Sequence, residues 1–365
     1  MKGFLKVLVL LLSLSLLLAA CGGGKGNEAP KASPAETHAA PTTAPTGGET
    51  KAASKEMMTA KMAVGGKGSI IYLPPAIAEY KGFFKEEGID IQVSDVKGGS
   101  QAIQALVSGE VDWGSAAIEH VIKYQAQGVD LVMVGLYTRY PAITLVVSSE
   151  LKDKVKTVND LKGMKVGVTS PNSATHKALL TLMNKHGMKP SDVEVLGVGT
   201  SGLVDAIKSG KVQAGFGLDP FVTDLVSSGN AFILWDLRTQ KDTVALYEKR
   251  EVPFVGMVTR REVLEKNPEL AQRMVNALVK ANKFITSSMP EEIAAVLPAE
   301  LKGVSEPLYV ASLKANMEAF PSDALAIEEG VQLVIDTLKA EKVIPESAQI
   351  SPSSVFDGSW AKKAG

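Results

Sequence analysis

The chain is short of several things. One cysteine, Cys21, stands in 365 residues, so no disulfide framework and no cysteine-ligated zinc site can form. Four histidines are scattered along the chain, too thinly for a histidine-rich metal site. Aromatic residues make up 5%, few for a base-stacking platform. Lys and Arg total 39 against 40 Asp and Glu. Without a basic excess there is nothing to track a phosphate backbone, and nucleic-acid binding is excluded as the expected role. The Gly-x-x-x-x-Gly-Lys-Ser/Thr phosphate loop, the Gly-x-Gly-x-x-Gly turn after a first strand, the Gly-x-Ser-x-Gly elbow and the His-Glu-x-x-His helix are also missing. No catalytic residue, metal ligand or cofactor is expected.

Beyond these absences, the length asks for more than one core. The longest apolar run, 7–20, follows Lys2 and Lys6 and is broken only by Ser13 and Ser15. It has the length of a signal-peptide core and is short for a membrane span. It ends Leu18-Ala19-Ala20-Cys21, similar to a bacterial lipoprotein lipobox, which implies cleavage before Cys21 and lipidation of its thiol. Residues 21–58 are mostly Gly, Ala, Pro, Thr, Lys and Glu. They hold too little apolar surface to offset ordering entropy and read as a flexible tether.

From about Lys61, short β-branched runs alternate with helical patterns, which predicts an α/β fold with largely parallel sheets. Strands are expected at 61–64, 89–93, 111–113, 131–136, 144–147, 165–168, 194–198, 214–218, 231–234 and 255–259. Helices are expected at 76–87, 101–108, 116–127, 158–161, 174–186, 203–209 and 221–228. A helical C-terminal third follows, with Asn267-Pro268 as one helix start. The stretch from Ser100 to Val111 resembles that from Ser201 to Val212: each is a serine opening a short helix, a Ser-Gly stop, then a strand. One copy per half predicts two similar lobes.

Apart from Pro171 and Pro220, the residues after these expected strands are Gly, Ser, Thr, Asn or Asp: Gly98-Gly99-Ser100, Gly114-Ser115, Thr169 to Ser173, Gly199-Thr200-Ser201 and Asp219-Pro220. Ligands of open α/β sheets bind beyond such carboxyl ends, where helix N-termini offer free N–H groups. Any single turn is explained as well by helix capping, Asp219-Pro220 especially. The coincidence across both halves points to a cleft. His176 lies in the first turn of a helix, either exposed or reaching ligand. His120 and His186 are expected to be solvated, and Trp113 to pack in the core.

Several stretches resemble a known family. Lys67-Gly68-Ser69 before Glu79-Tyr80-Lys81-Gly82-Phe83-Phe84, the run from Ala105 to Asp112 and the run from Val158 to Val168 are similar to ABC-transporter solute-binding proteins. The group is the one for aliphatic sulfonates, taurine, nitrate and thiamine pyrimidine precursors. The motifs leave the ligand open. The resemblance implies the type II periplasmic-binding-protein fold, two Rossmann-like lobes joined by two hinge crossings. Lobe 1 would occupy 59–148, lobe 2 149–250, and residues 251–365 would return to lobe 1. Ligand contacts are implied at Lys67, Gly68 and Ser69; at Gly99, Ser100 and Gln101; at Gly114 and Ser115; at Arg139 and Tyr140; at Ser170, Ser173, Thr175 and His176; and at Asp219 and Pro220. The expected protein is an extracytoplasmic, lipid-anchored monomer. It would bind a small, anionic organic molecule and serve an ABC permease and ATPase. A sensory lipoprotein and an enzyme of pyrimidine synthesis on the same fold are the alternatives.

Overall fold

A computed structural model describes residues 56–364. The signal peptide, Cys21 and nearly all of the tether lie outside them. The first sheet is built from β1 (Met58–Val64), β2 (Ile89–Asp95), β3 (Trp113–Ala117) and β4 (Leu131–Leu136), with α1 (Leu73–Tyr80), α2 (Phe83–Glu86), α3 (Gly99–Val107) and α4 (Ile118–Ala126) between them. The second sheet comprises β5 (Ile143–Ser148), β6 (Lys165–Val168), β7 (Glu194–Gly197), β8 (Ala214–Leu218) and β9 (Ala231–Asp236). Its helices are α5 (Ala174–Lys185), α6 (Gly202–Lys208) and α7 (Phe221–Ser227). After α8 (Gln240–Tyr247) the chain returns through β10 (Val255–Arg260). The helices α9 (Arg261–Lys266), α10 (Pro268–Ser287), α11 (Pro290–Val296), α12 (Ala299–Lys302), α13 (Glu306–Asn316) and α14 (Glu328–Ala340) follow.

The two sheets have the same plan. Their orders are β2-β1-β3-β10-β4 and β7-β6-β8-β5-β9. In each, the first three strands are parallel, and the fourth is antiparallel to both neighbours. That fourth strand is the one laid down just after the chain crosses from the other lobe. Helices cover both faces, which is why β3, β4 and β8 are buried along their whole length, and β5 as far as Val147, and read as unbroken apolar or small-residue runs. The paired Ser-Gly units become α3–β3 and α6–β8, in equivalent places.

Three expectations shift. The first crossing was placed near Ser148, but β5 pairs with β8 and β9, so the chain has changed lobes by Ile143. Strand β3 begins at Trp113, where the strand was expected to stop, and continues through Ala117. Its small residues let α3 sit close: a Cβ on Gly114 would stand 3.5 Å from the Ala102 carbonyl. Helix α8 was not expected, although Thr239 caps it, accepting from the Asp242 N–H at 3.4 Å. The return helices pack mostly on lobe 1, α10 against α1 and α14 against α4, while α13 also reaches α7 of lobe 2.

Candidate binding cleft

The two sheets face each other across a narrow space lined by both. Lobe 1 contributes Gly65, Ile71, Tyr72, Gly98, Gly99, Ser100, Ala117 and His120; lobe 2 contributes Ile143, Thr169, Ser170, Ser173, Ala174, Thr175, Thr200 and Leu218; Phe254 and Val255 close it from the second crossing. Its free volume is about 30 Å³, room for about two water molecules. Organic ligands occupy pockets of roughly 300 Å³ or more, so admitting one requires the lobes to part. A wider groove of about 550 Å³ continues outward past Gly68, Ser69 and Lys97 on one side and Gly199 to Gly202 on the other.

Helices α3 and α5 both begin at the narrow space, so backbone N–H groups and partial positive charge converge there. The loop before α5 is held by its own hydroxyls. Thr175 Oγ1 accepts from the Thr169 N–H at 3.0 Å and lies 2.9 Å from both Thr169 Oγ1 and Ser173 Oγ. Ser173 caps α5, accepting from the His176 N–H at 3.3 Å. The Tyr72 hydroxyl stands beside Gly99; burial, then the charge of Glu119, keeps that phenol protonated. Gly65 permits the close approach of this wall. A Cβ there would lie 2.4 Å from the Gly99 nitrogen, which no side chain tolerates.

The residues singled out from sequence fall into separate places. Gly99, Ser100, Ser170, Ser173 and Thr175 line the narrow space, and Gly68 and Ser69 line the outer groove. A Cβ on Gly68 would meet the Leu301 carbonyl at 2.4 Å, so packing alone accounts for that glycine. Lys67 pairs with Glu79 at 2.6 Å and stands over the Tyr80 ring. Arg139 is held at the first crossing by Glu251 and the Phe320 carbonyl, at 3.4 and 3.3 Å. Beside it the Tyr140 hydroxyl reaches Gln240 at 3.5 Å. Gln101 accepts from the Lys97 N–H at 3.0 Å and is exposed. Ser115, buried in β3, bonds the Tyr137 hydroxyl at 2.9 Å. His176 turns back to accept from the Asn172 N–H at 2.9 Å, and burial followed by Lys177 lowers its pKa. Pro220 precedes α7. Asp219 is 3% exposed and faces Thr223, Arg238 and Asn316 instead of the narrow space.

A family model described as "NMT1/THI5 like" matches residues 72–293, more than half of the chain. The chain belongs to this family. A solved structure from Bordetella bronchiseptica RB50 is similar over 84% of this chain and 96% of its own, at 36% identity and a TM-score of 0.77. An Escherichia coli K12 protein, provisionally named an aliphatic sulfonates-binding protein, is 28% identical over 69% of this chain and 75% of its own length. The yeast 4-amino-5-hydroxymethyl-2-methylpyrimidine phosphate synthase THI13 is 26% identical over 59% of this chain and 63% of its own. The NMT1/THI5-like family thus includes both binding proteins and enzymes. The fold is that of type II periplasmic binding proteins, two lobes with mixed sheets.

Sequence reasoning missed much of the lining in this NMT1/THI5-like chain. His120 was expected in solvent, yet it is 5% exposed and faces the cleft. Burial, then Lys123, lowers its pKa to about 4, so it stays neutral near pH 7 and can donate and accept at once. His186 is half-buried, edge-on to Trp235 with ring centres 5.6 Å apart. Trp113 is fully buried, as expected. Gly65, Tyr72 and Phe254 carried no sequence signal, because their places depend on how segments far apart in the chain meet. Thr200 did carry one, standing in the turn after the seventh expected strand. None of the described residues lining the narrow space bears a full charge.

Proposed function

We propose that this protein is an extracytoplasmic solute-binding protein, anchored by lipid at Cys21. It captures a small organic molecule between its lobes and delivers it to an ABC permease and ATPase. The observation that carries this reading is the shared cleft, into which both lobes send helix N-termini or hydroxyls and which must open to fill. The similarity to binding proteins supports it, and the yeast synthase marks the enzymatic alternative. An acidic head group suits converging N–H donors and the Ser and Thr hydroxyls with no carboxylate opposite. Lys67 and Arg139, occupied elsewhere, would leave that head bound by neutral donors. The proposed contacts are therefore Gly99, Ser100, Ser170, Ser173 and Thr175, joined by Tyr72, His120 and Thr200.

Native mass spectrometry of the purified full chain, followed by a thermal-shift panel of small organic acids, amines and neutral compounds, tests this. A solute that binds only the folded form raises the unfolding midpoint with concentration. The expected outcome is a saturable rise with an acid-headed compound that is recovered chemically unchanged. Chemical conversion of the compound would favour the enzyme. Strongest binding of a purely cationic compound would refute the acidic head.

A further inference from the structure

A second space, about 50 Å³, lies beside the cleft and shares Ala117, Ala174 and Phe254 with it. Three helices meet there: α4 from lobe 1, α5 from lobe 2 and α14 from the return segment. From α5, Lys177 comes within 3.9 Å of Glu341 on α14, and Thr181 donates to Glu341 at 2.9 Å. From α4, Glu119 enters the same space, 8% exposed, with its Oε1 lacking any hydrogen-bond partner.

An unpartnered carboxylate in a buried site is costly when ionised, and taking up a proton removes most of that cost. Burial is the main effect here, raising the Glu119 pKa from 4.5 to about 7. The neighbouring charges work partly against it: Lys123 on the same helix and Lys177 on α5 oppose the rise, and Glu341 at the end of α14, a smaller influence, adds to it. The other titratable groups around it are neutral near pH 7. Tyr247 and Tyr72 have raised values, chiefly from burial, and His120 is held unprotonated. Part of that burial depends on the lobes being together, because one wall of the space is the lobe 2 helix α5, while α4, α14 and residues 252–254 form the others.

We propose that Glu119 links lobe closure to proton uptake, so that the closed form is favoured in acid. The proposal rests on the two-lobe capture reading and describes how that cleft is regulated. With the lobes apart, Glu119 gains water and its value falls back toward the ordinary 4.5; with them together it lies near 7. Below the lower value it is protonated in both forms and has no effect. Between the two, each unit of rising pH lowers the closed-to-open ratio by up to about tenfold. Above the upper value the penalty is complete and constant. Ligand affinity, which depends on closure, follows the same profile.

Small-angle scattering of the full chain without ligand, between pH 5 and pH 8 (about the range of interest for a pKa near neutral), is the test. The expected radius grows as pH rises. Glu119→Gln removes that dependence. Glu341→Gln keeps it but moves the midpoint down, since a negative neighbour has gone. Circular dichroism confirms folding of each variant. A growth of equal size and midpoint in Glu119→Gln overturns the role of Glu119 and leaves lobe opening standing. Compaction with rising pH overturns the sign. Glu119→Lys, which sets a third ammonium beside Lys123 and Lys177, should hold the lobes apart. A radius fixed in every variant, including that one, overturns two-lobe opening and the proton link together.

Discussion

Replacing Asp219 by Asn separates two readings of one residue. Read from sequence, Asp219 is a helix cap, and Asn caps about as well. In the structure its carboxylate takes four donors. Oδ1 accepts from the Thr223 N–H at 2.9 Å and the Thr223 hydroxyl at 2.7 Å; Oδ2 accepts from Arg238 at 3.0 Å and Asn316 at 2.6 Å. An asparagine has one carbonyl oxygen. If that oxygen keeps the α7 cap, its amide is turned donor-to-donor against Arg238 and Asn316. Two bonds to the charged carboxylate are lost, about 1.5–3 kcal/mol each. Arg238 is 9% exposed but keeps Asp236, at 2.8 and 2.5 Å, so the full ~3–5 kcal/mol of a stranded buried charge does not apply. The expected destabilisation is about 3–6 kcal/mol. Urea unfolding should show a lower midpoint with an unchanged slope. A loss below about 0.5 kcal/mol, the scatter of ordinary surface substitutions, would refute the four-donor account and restore the simple cap. Asp219 also accepts the Ile70 N–H on its backbone carbonyl at 3.0 Å, a contact between the lobes that this side-chain change leaves in place.

Gly65→Ala should lower stability by about 1–3 kcal/mol through overpacking and weaken ligand binding by displacing the start of α3. Thermal denaturation and ligand titration check both, and an unchanged protein would mean that the wall has slack. Cys21→Ser should move the protein from the membrane to the soluble fraction without altering affinity, as read by fractionation and titration; retention at the membrane would refute the lipobox reading.

The fold was legible because burial of the central strands leaves long apolar runs, and because the Ser100 and Ser201 units repeat one helix–strand step in both halves. Crossing points were less legible. Nothing in the composition of 143–148 says which sheet it joins, since both sheets bury such a strand equally. The cleft was legible where helix starts meet it, at Ser100, Ser173 and Thr175. Charged residues were less legible for a physical reason: Lys67 and Arg139 each have a carboxylate close by, Glu79 and Glu251, and an ion pair looks the same in sequence as a free charge. Glu119 and His120 follow one another on α4 and are buried from outside by other segments, which no local pattern records.

The inserted strands set an order of assembly. Strands β5 to β9 form one uninterrupted stretch of chain, so the second sheet has all its members once synthesis reaches Asp236. The first sheet is then still missing β10, with a strand-wide gap between β3 and β4. Those two edges, apolar and buried in the finished fold, are unpaired until residues 255–260 emerge, the kind of exposed edge that invites wrong partners. The half of the protein that is translated first is therefore the half that finishes last, and a chain stopped between the two points carries one finished lobe and one that cannot close.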